Sequence, residues 1–309
     1  MKENLTSIND VTDAQQLEQI ISAPNTLNDS LFKYMFGREE SKGCLLDLLN
    51  TFLADALGHS ILDLNYTNTE VVPNHTQGKK VFFDIACKLD DGSLVDIEVQ
   101  TGDPAYFKNR ITYYACELMS HSLKESDTYK DLKPVIVLCI LDFKLFKFPE
   151  YFSSWGVCNL KNHERLSNLL SMHFIELQKL EKSGNLTKID KWMIILSKDF
   201  SLKEKQAIAK GDVAMEKALN SVEDYFSQPN NFVAYCINEK HRRDSEFLLI
   251  DAKDLAHKEG REEGRDEMRI EVALDMLKDK LPIASIVRYS KLSLEEVQRL
   301  AKEHGLSSE

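Results

Sequence analysis

The stretch VFFDIACKLDDGSLVDIEVQ, residues 81–100, alternates apolar and polar side chains on both sides of a short loop. Alternation of this kind is typical of two half-buried antiparallel strands. The loop, residues 90–92, is predicted to be a type I turn followed by a bulge, with Gly92 in the left-handed conformation. Because this loop fixes the register of the hairpin, Ile85 is expected opposite Ile97.

The predicted register gives the hairpin two faces of opposite character. The apolar face pairs Phe83 with Val99, Ile85 with Ile97, and Cys87 with Val95. The other face pairs Asp84 with Glu98, Ala86 with Asp96, and Phe82 with Gln100. Two carboxylates are therefore expected to face each other across the strands.

The facing carboxylates of Asp84 and Glu98 require compensation, since like charges on opposed strand positions are unfavourable. A divalent cation would supply it, because Mg²⁺ takes oxygen ligands and is commonly held by one or two carboxylates. Gln100, on the same predicted face, would hold a water molecule or a phosphate oxygen. The alternative is a solvated strand face on which the acidic side chains simply contact water.

The periodicity of apolar residues predicts the elements around the hairpin. Their order, helix, three strands, helix and strand, predicts an α/β domain. Helices are expected after Asn28 and after Gly43, β-structure at 61–72, a helix at about 103–123, a buried strand at 135–141, another strand at 173–177, and short helices at 192–196, 203–210 and 213–226.

Composition divides the chain into four parts without a long linker. They are a polar N-terminal arm at 1–25 with one helix near 13–21, the α/β domain at 26–180, a helical extension at 181–245, and a charged helix with a small helical module at 246–309. The arm shows no recognisable chemistry. The chemistry is therefore expected in the second part.

The charge balance limits how the chain could bind nucleic acid. Its 309 residues carry 39 Lys and Arg against 50 Asp and Glu, a net charge of −11. Nonspecific binding to nucleic acid depends on cationic side chains that displace counterions from phosphates. Any nucleic-acid function must therefore rest on a local patch or on a bound cation.

Other sequence features exclude several classes of protein. The longest apolar run, Val135–Leu141, is too short for a membrane span, and the N-terminus has no apolar signal stretch. The six cysteines form no C-x-x-C pair, which argues against a zinc ribbon and is typical of reduced thiols. No P-loop motif occurs, so no nucleotide cofactor is expected. We expect a cytoplasmic protein without a membrane partner.

Several segments resemble the Rpn family of recombination-promoting nucleases, also called putative transposases. They are Asn28–Gly37, Phe83–Ile85, Val95–Gln100 and Phe107–Tyr114, followed by the Glu-Gly repeats near Gly260 and Gly264. That family belongs to the PD-(D/E)xK nuclease superfamily. The resemblance implies an α/β, restriction-endonuclease-like core, with a central mixed β-sheet flanked by helices and an α-helical C-terminal extension.

The resemblance also implies a function and a set of site residues. The expected activity is that of a metal-dependent DNA endonuclease linked to recombination, transposition-like processes or defence, with Mg²⁺, Mn²⁺ or Ca²⁺ as the cofactor. Asp84, Glu98 and Gln100 would be catalytic, and Asp84, Glu98 and Asp29 would hold the ion. Gln100 stands where the superfamily motif has lysine, and Phe83 stands where it names proline. Asn28 or Asp29 is alternatively a helix N-cap.

Two further readings of the nuclease-like domain stay open. The domain would act as a noncatalytic DNA-binding or protein-interaction module if its Glu-x-Gln site no longer cuts. It would act as a ribonuclease if the substrate is RNA, since nothing in the sequence distinguishes the two sugars.

The helix predicted after residue 103 carries candidate nucleic-acid-binding residues. Arg110 and Tyr114 are four residues apart and so share one helix face. If that helix flanks the polar side of the hairpin, Arg110 would grip a phosphate, and Lys33 and Lys108 would assist. Arg110 is alternatively an ordinary surface charge.

The C-terminal part of the chain suggests self-association. Gly260 and Gly264 each cost a helix about 1 kcal/mol relative to alanine. Their spacing places both on one face, where a second helix could approach, so we expect a homodimer or a higher homo-oligomer. A helix that bends or frays is the alternative. Two short helices follow, the second with a predicted capping box of Ser293 and Glu296.

The two short helices also permit a helix-turn-helix DNA-binding module as an interpretation. Residues 251–309, however, contain 11 Lys and Arg against 14 Asp and Glu. A net negative charge does not favour binding in a DNA groove. A small oligomerisation or partner-binding module is the preferred interpretation.

Overall fold

The computed structural model describes residues 14–71, 81–102, 106–123, 126–181 and 185–306. The chain divides into two compact units, Met1–Arg242 and Arg243–Glu309. Within the described ranges, no helix is both long enough and apolar enough to cross a membrane. Residues 1–13 of the predicted arm and Asp103 lie outside the described ranges.

The first unit combines strands and helices in the order expected of an α/β domain. Its strands are β1 (Leu64–Tyr66), β2 (Glu70–Val71), β3 (Val81–Phe82), β4 (Ile85–Leu89), β5 (Leu94–Gln100), β6 (Val135–Leu141), β7 (Phe152–Gly156) and β8 (Leu170–Glu176). Its helices are α1 (Ala14–Ser22), α2 (Asp29–Phe36), α3 (Lys42–Leu57), α4 (Phe107–Ser120), α5 (Lys188–Leu196), α6 (Leu202–Ala209), α7 (Val213–Ser227) and the first part of α8 (Pro229–Lys278).

Six of the strands form one mixed sheet in the order β1-β4-β5-β6-β8-β7. Strands β5, β6 and β8 are parallel, whereas β1, β4 and β7 run antiparallel to their neighbours. Every residue of β6 is buried, as the unbroken apolar run 135–141 predicts for a strand covered on both faces. A central mixed sheet flanked by helices is thereby confirmed.

The predicted hairpin register is confirmed within the ladder of β4 and β5. Ile85 pairs with Ile97, and Cys87 pairs with Val95. Gly92 adopts a φ of 90°, the left-handed conformation that the loop requires. The register places alternate residues of β5 on opposite faces of the sheet.

The predicted pairing is wrong at the N-terminal end of the first strand. Phe82 belongs to β3, which pairs with β2 in a separate two-stranded sheet, so it does not lie opposite Gln100. Phe83 packs with the cluster on the other face of the main sheet. The ladder ends because the Asp84 carboxylate itself accepts a hydrogen bond from the backbone amide of Val99 (Oδ2 to N, 2.9 Å).

The sheet separates two apolar clusters. The larger cluster packs one sheet face against helices α2, α3 and α5 to α7, and it includes Val95 and Ile97. The smaller cluster packs the opposite face against α4, and it includes Ala86 and Val137. Helix α4 therefore covers the face to which Asp96 and Glu98 belong.

The other predicted elements are observed with shifted ends, and one strand was not predicted. The helix expected at 103–123 is observed as α4, and the strand expected at 173–177 is the longer β8. Helix α8 begins at Pro229 rather than near residue 245. Strand β7 was not predicted, because its FSSWG sequence lies at the sheet edge and lacks regular alternation.

The second unit contains the rest of α8 together with α9 (Ile283–Ser290) and α10 (Leu294–Glu303). Its small core is formed by Ala273, Leu277, Ile286, Val297, Leu300 and Ala301. The predicted capping box is confirmed, because Ser293 and Glu296 exchange backbone and side-chain hydrogen bonds. A β-carbon added at Gly260 or Gly264 would meet nothing within 4 Å among the described residues.

Lys205 is a charged residue within the larger core of the first unit. Its side chain is fully buried, and Nζ donates to Thr26 Oγ1 over 3.3 Å. Burial lowers the pKa of Lys205 to about 7, while the charge of Asp199 opposes this shift. The folded protein therefore releases this proton at a lower pH than the unfolded chain does.

We predict that Lys205→Met is more stable than the parent at neutral pH, by about 1 kcal/mol or more, because no amine is then buried. Between pH 7 and about 10, the unfolded parent binds a proton that the folded parent has released, so the parent gains stability with rising pH. The advantage of the variant should shrink over that window. Urea unfolding at several pH values measures it.

Lys203→Met, at an exposed position of the same helix, is the matched control. A constant stability difference between Lys205→Met and the parent across that pH range would contradict the prediction.

Candidate active site

The site is built on the alternation of β5. Asp96, Glu98 and Gln100 project from the face opposite to Val95 and Ile97, which belong to the larger core. Asp84 lies between β3 and β4, at the edge of the same region. One hairpin thus supplies three acidic side chains and one amide.

The solvated-face interpretation is wrong for Asp96 and Glu98, whereas Asp84 is partly exposed. The side chain of Asp96 has no exposed surface, and Glu98 is 6% exposed. Helix α4 excludes water by laying an apolar stripe over this face. The stripe consists of Phe107, Ile111, Ala115 and Leu118.

Asp84 has both a hydrogen-bond donor and a cation nearby. Its Oδ2 accepts from the Val99 amide, and its Oδ1 lies 3.6 Å from Lys33 Nζ. Burial raises the pKa of Asp84 to about 6, although the Val99 hydrogen bond and the charge of Lys33 oppose the shift. The charge of Asp29 raises the pKa further.

The pKa of Glu98 is raised further above its ordinary value than that of Asp84. Burial raises its pKa to about 8, and the negative charge of Asp84 adds to the shift. Arg110 and Lys33 act in the opposite direction through their positive charges. Glu98 Oε1 is buried and has no hydrogen-bond partner among the described residues.

Asp96 is deeper than either of the other two acids. Both of its carboxylate oxygens are buried without a hydrogen-bond partner in the described part of the chain. Burial, and then the charges of Glu98 and Asp84, raise its pKa well above the ordinary value. Its neighbours across the strands are Ala86 and Val137, which offer no donors from their side chains.

Arg110 of α4 contacts the site directly. Its Nη2 donates to Gln100 Oε1 over 2.5 Å, and its guanidinium carbon lies 5.2 Å from the centre of the Phe107 ring and 5.9 Å from that of Tyr114. Arg110 Nε is buried and unpartnered within the described ranges. Helix α4 thus flanks the polar side of the hairpin, which is the condition on which the predicted phosphate contact of Arg110 depends.

Asp29 and Lys33 join the site from α2. Asn28 is the N-cap of α2, since its side chain accepts from the Leu31 amide, and Asp29 is thereby free of the capping role. Asp29 Oδ1 lies 2.6 Å from Lys33 Nζ. Lys33 therefore lies between the carboxylates of Asp29 and Asp84.

Lys108 lies beside an aromatic ring, and its contact with a phosphate stays a prediction. Its Nζ lies 4.7 Å from the centre of the Phe146 ring, and the structure gives it no contact with the carboxylates within the described residues. Lys108 and Arg110 both belong to the first turn of α4. They reach separate surfaces from one turn of helix.

The donor set fits a hard divalent cation only in part. Two carboxylates with raised pKa values and an unpartnered Glu98 oxygen are chemically suited to such an ion. Within the described ranges, however, no group of three or more His, Cys, Asp or Glu side chains is arranged to hold a metal ion. Asp84 and Glu98 therefore form a two-carboxylate site, to which Asp29 adds no third ligand in this geometry.

The burial of Asp96 is the feature of the site that sequence reasoning missed. The signal that could have revealed it lies in α4, whose apolar residues recur at intervals of three or four from Phe107 to Leu118. A helix with such a stripe must cover an apolar surface. The hairpin face beside it was the available surface.

The chain matches a known protein-family model. The model described as PD-(D/E)XK nuclease family transposase matches residues 26–252 of the 309 residues. Searches among curated proteins and among solved structures give no match. The matched range contains the hairpin, α2, α4 and all the candidate site residues other than Gly260 and Gly264.

We predict that Asp96→Val raises the free energy of unfolding by about 1–3 kcal/mol, because the substitution removes a buried polar group that lacks partners and leaves an apolar side chain against Ala86 and Val137. Calorimetry or urea unfolding in the presence of a chelator measures the change. Lys88→Val, at an exposed position of β4, is the control. A loss of stability in Asp96→Val that exceeds the change in Lys88→Val would contradict this prediction.

Proposed function

Because the chain belongs to the PD-(D/E)XK nuclease family of transposases, we propose that it is a metal-dependent endonuclease that hydrolyses phosphodiester bonds in DNA. The observation that carries this proposal is the pair Asp84 and Glu98. Burial raises the pKa of both carboxyls, the negative charge of Asp84 raises the pKa of Glu98 further, and one oxygen of Glu98 has no partner among the described residues. A divalent cation at this position would reduce the repulsion between the two carboxylates and would give the Glu98 oxygen a partner.

In this proposal Asp84 and Glu98 hold Mg²⁺, which Mn²⁺ or Ca²⁺ would replace as oxygen-preferring ions. When bound, the ion supplies a water molecule of lowered pKa and polarises the scissile phosphate. The Val99 amide orients Asp84 through its hydrogen bond to Oδ2. Helix α4 limits the access of bulk water, which strengthens every charge interaction beneath it.

Arg110 is proposed to supply the positive charge that Gln100 lacks. The motif position held by Gln100 is a lysine in the superfamily, and here the guanidinium of Arg110 is bonded to the Gln100 amide oxygen. Arg110 is only partly buried, and the exposed part of its guanidinium is proposed to contact a phosphate oxygen. Charge developing on the phosphate would thus be stabilised by a residue outside the motif.

Lys33, Asp29 and Tyr114 are proposed to have supporting roles. Lys33 pairs with both Asp29 and Asp84. A bound cation would compete with the Lys33 ammonium for these carboxylates, and a phosphate would compete with the carboxylates for the ammonium. Tyr114 packs edge-on against Phe83, with ring centres 5.9 Å apart, and contributes to the environment of Glu98. Asp29, which is not a ligand in this geometry, would act through its ion pair with Lys33.

Self-association through α8 remains a prediction. The open space around Gly260 and Gly264 leaves room for a second helix. The exposed apolar side chains of Phe247, Leu248 and Leu255 on the same helix would gain from being covered. Sedimentation of Gly260→Leu beside the parent tests this directly, with a loss of oligomer expected.

We predict that Glu98→Gln reduces cleavage of supercoiled plasmid in Mg²⁺ by at least about 100-fold, because it removes a charged ligand without changing side-chain volume. The same substitution should abolish the rise in melting temperature that Mg²⁺ gives the parent protein. Gel electrophoresis of the plasmid and calorimetry provide the two measurements.

Glu40→Gln, an exposed acid between α2 and α3, is the matched control and should behave as the parent does. Absence of cleavage by the parent with Mg²⁺, Mn²⁺ and Ca²⁺ would favour the noncatalytic reading. Cleavage of an RNA oligomer, without cleavage of DNA, would change the substrate class instead.

We predict that Arg110→Gln lowers the cleavage rate by about 10- to 100-fold, since one charge-assisted contact to the phosphate is lost. The double variant Arg110→Gln with Gln100→Lys should recover a substantial part of the rate. A purely structural role for Arg110 would give no such recovery. Single-turnover cleavage rates distinguish the two cases.

A further inference from the structure

Three aromatic rings form a stack at the edge of the main sheet. The rings of Phe146 and Phe148 have centroids 5.1 Å apart and an interplanar angle of 11°. Phe146 and Trp155 have centroids 4.8 Å apart and an angle of 23°. Such near-parallel faces differ from the edge-on packing found elsewhere in this core, as between Phe107 and Phe143.

The stack packs against the smaller core on one side and is exposed to solvent at Trp155. Phe146 contacts the buried Phe174 edge-on, with centroids 5.2 Å apart, and Phe174 belongs to the smaller core. Trp155 lies on the edge strand β7, is 43% exposed, and donates from Nε1 to Ser153 Oγ. The rings are therefore held in place before any ligand binds.

Cationic side chains surround the stack. Lys108 Nζ lies 4.7 Å from the centre of the Phe146 ring, and Lys179 Nζ lies 4.5 Å from that of Phe148. The segment that carries the two phenylalanines also contains Lys144 and Lys147, both exposed. Lys179 is nearly buried and paired with Glu176 (Nζ to Oε1, 2.7 Å), so the cations open to a ligand are Lys108, Lys144 and Lys147. This local positive charge contrasts with the net charge of −11 of the whole chain.

Flat aromatic faces flanked by lysines match the chemistry of unpaired nucleotides. Bases stack on aromatic side chains in a sequence-tolerant way, and lysines bind the phosphates between them. Bases in a duplex are stacked on one another, so their faces are not available to a protein ring. The charge complementarity favours nucleic acid over an apolar protein partner at this surface.

We propose that Phe146, Phe148 and Trp155 form a base-stacking platform for single-stranded nucleic acid. The proposal rests on the proposed function, in that it identifies unpaired nucleotides as part of the substrate of the same nuclease domain. Lys108 contacts the platform and Arg110 contacts Gln100, and both belong to the first turn of α4. A strand held on the platform would thus pass α4 on its way to the carboxylates.

The chain provides its own probe for this surface. Its only tryptophans are Trp155 and Trp192, and Trp192 is fully buried. A change in tryptophan fluorescence on titration with an oligothymidylate of about 15 nucleotides therefore reports on Trp155. The full-length protein is used in a chelator, so that no cleavage occurs, and we expect quenching that weakens at high salt.

Fluorescence anisotropy of a labelled oligothymidylate compares the variants. Trp155→Ala should weaken binding by about 10-fold, the range found for one base–aromatic contact. Trp155→Phe should restore most of the affinity, since it retains a ring. Tyr129→Ala, which removes an aromatic side chain that is 88% exposed and outside the stack, should bind as the parent does.

Unchanged binding in both Trp155→Ala and Phe148→Ala would overturn the platform. So would a concentration-dependent self-association that these variants abolish, because the surface would then be an interface between copies of the chain. Cleavage of duplex plasmid by the parent separates the two proposals. If the plasmid is cut while oligothymidylate binding is independent of Trp155, only the platform fails; if binding depends on Trp155 while no ion supports cleavage, only the nuclease proposal fails.

Discussion

The organisation of this protein depends on the burial of acidic side chains between β5 and α4. A β-strand places alternate residues on opposite faces. Because Val95 and Ile97 of β5 face the larger core, Asp96 and Glu98 must face α4. The apolar stripe of α4 then removes these carboxylates from water. Their raised pKa values follow from that burial and from neighbouring negative charge, namely that of Glu98 and Asp84 acting on Asp96 and that of Asp84 acting on Glu98. The positive groups nearest to them, Arg110 and Lys33, come from two helices on different sides of the hairpin.

Local patterns in the sequence were sufficient for the hairpin and its register. Gly92 and the alternation on either side of it determine which residues oppose one another, because these are interactions between near neighbours. The prediction was wrong at the N-terminal end of the first strand. There the Val99 amide donates its hydrogen bond to the Asp84 carboxylate instead of to a main-chain carbonyl of a continued ladder. The burial of Asp96 and the position of β7 depend on packing between distant segments, which periodicity within one segment does not encode. The contact of Arg110 with the polar side of the hairpin was predicted conditionally, and the packing of α4 supplies the condition.

Gln100 illustrates why a motif has to be interpreted together with its surroundings. Judged by sequence alone, glutamine in place of lysine removes a positive charge from the site. The hydrogen bond between Gln100 and Arg110 shows a guanidinium at that same position. Arginine stays protonated even when it is partly buried, whereas a buried lysine loses its proton more readily, as the lowered pKa of Lys205 in this chain illustrates. In a site that already contains three carboxyls and little water, an arginine held by an amide is the more durable source of positive charge.

The unpartnered oxygens of Asp96 and Glu98 are costly to the isolated fold. Each buried carboxyl without a hydrogen bond lowers stability by an amount that a neutral apolar side chain would not. Stability alone therefore gives no reason for acids at these two positions. A ligand that binds the folded protein and not the unfolded chain increases the free energy of unfolding and so offsets part of this loss of stability. Such a ligand must be positively charged or a donor of hydrogen bonds, and it must reach the oxygens beside Arg110. For Glu98, with Asp84 opposite it and 6% of its surface exposed, a small cation meets these requirements. Asp96 has no exposed surface, so its contribution is the negative charge that it would add to the field around Glu98 when ionised.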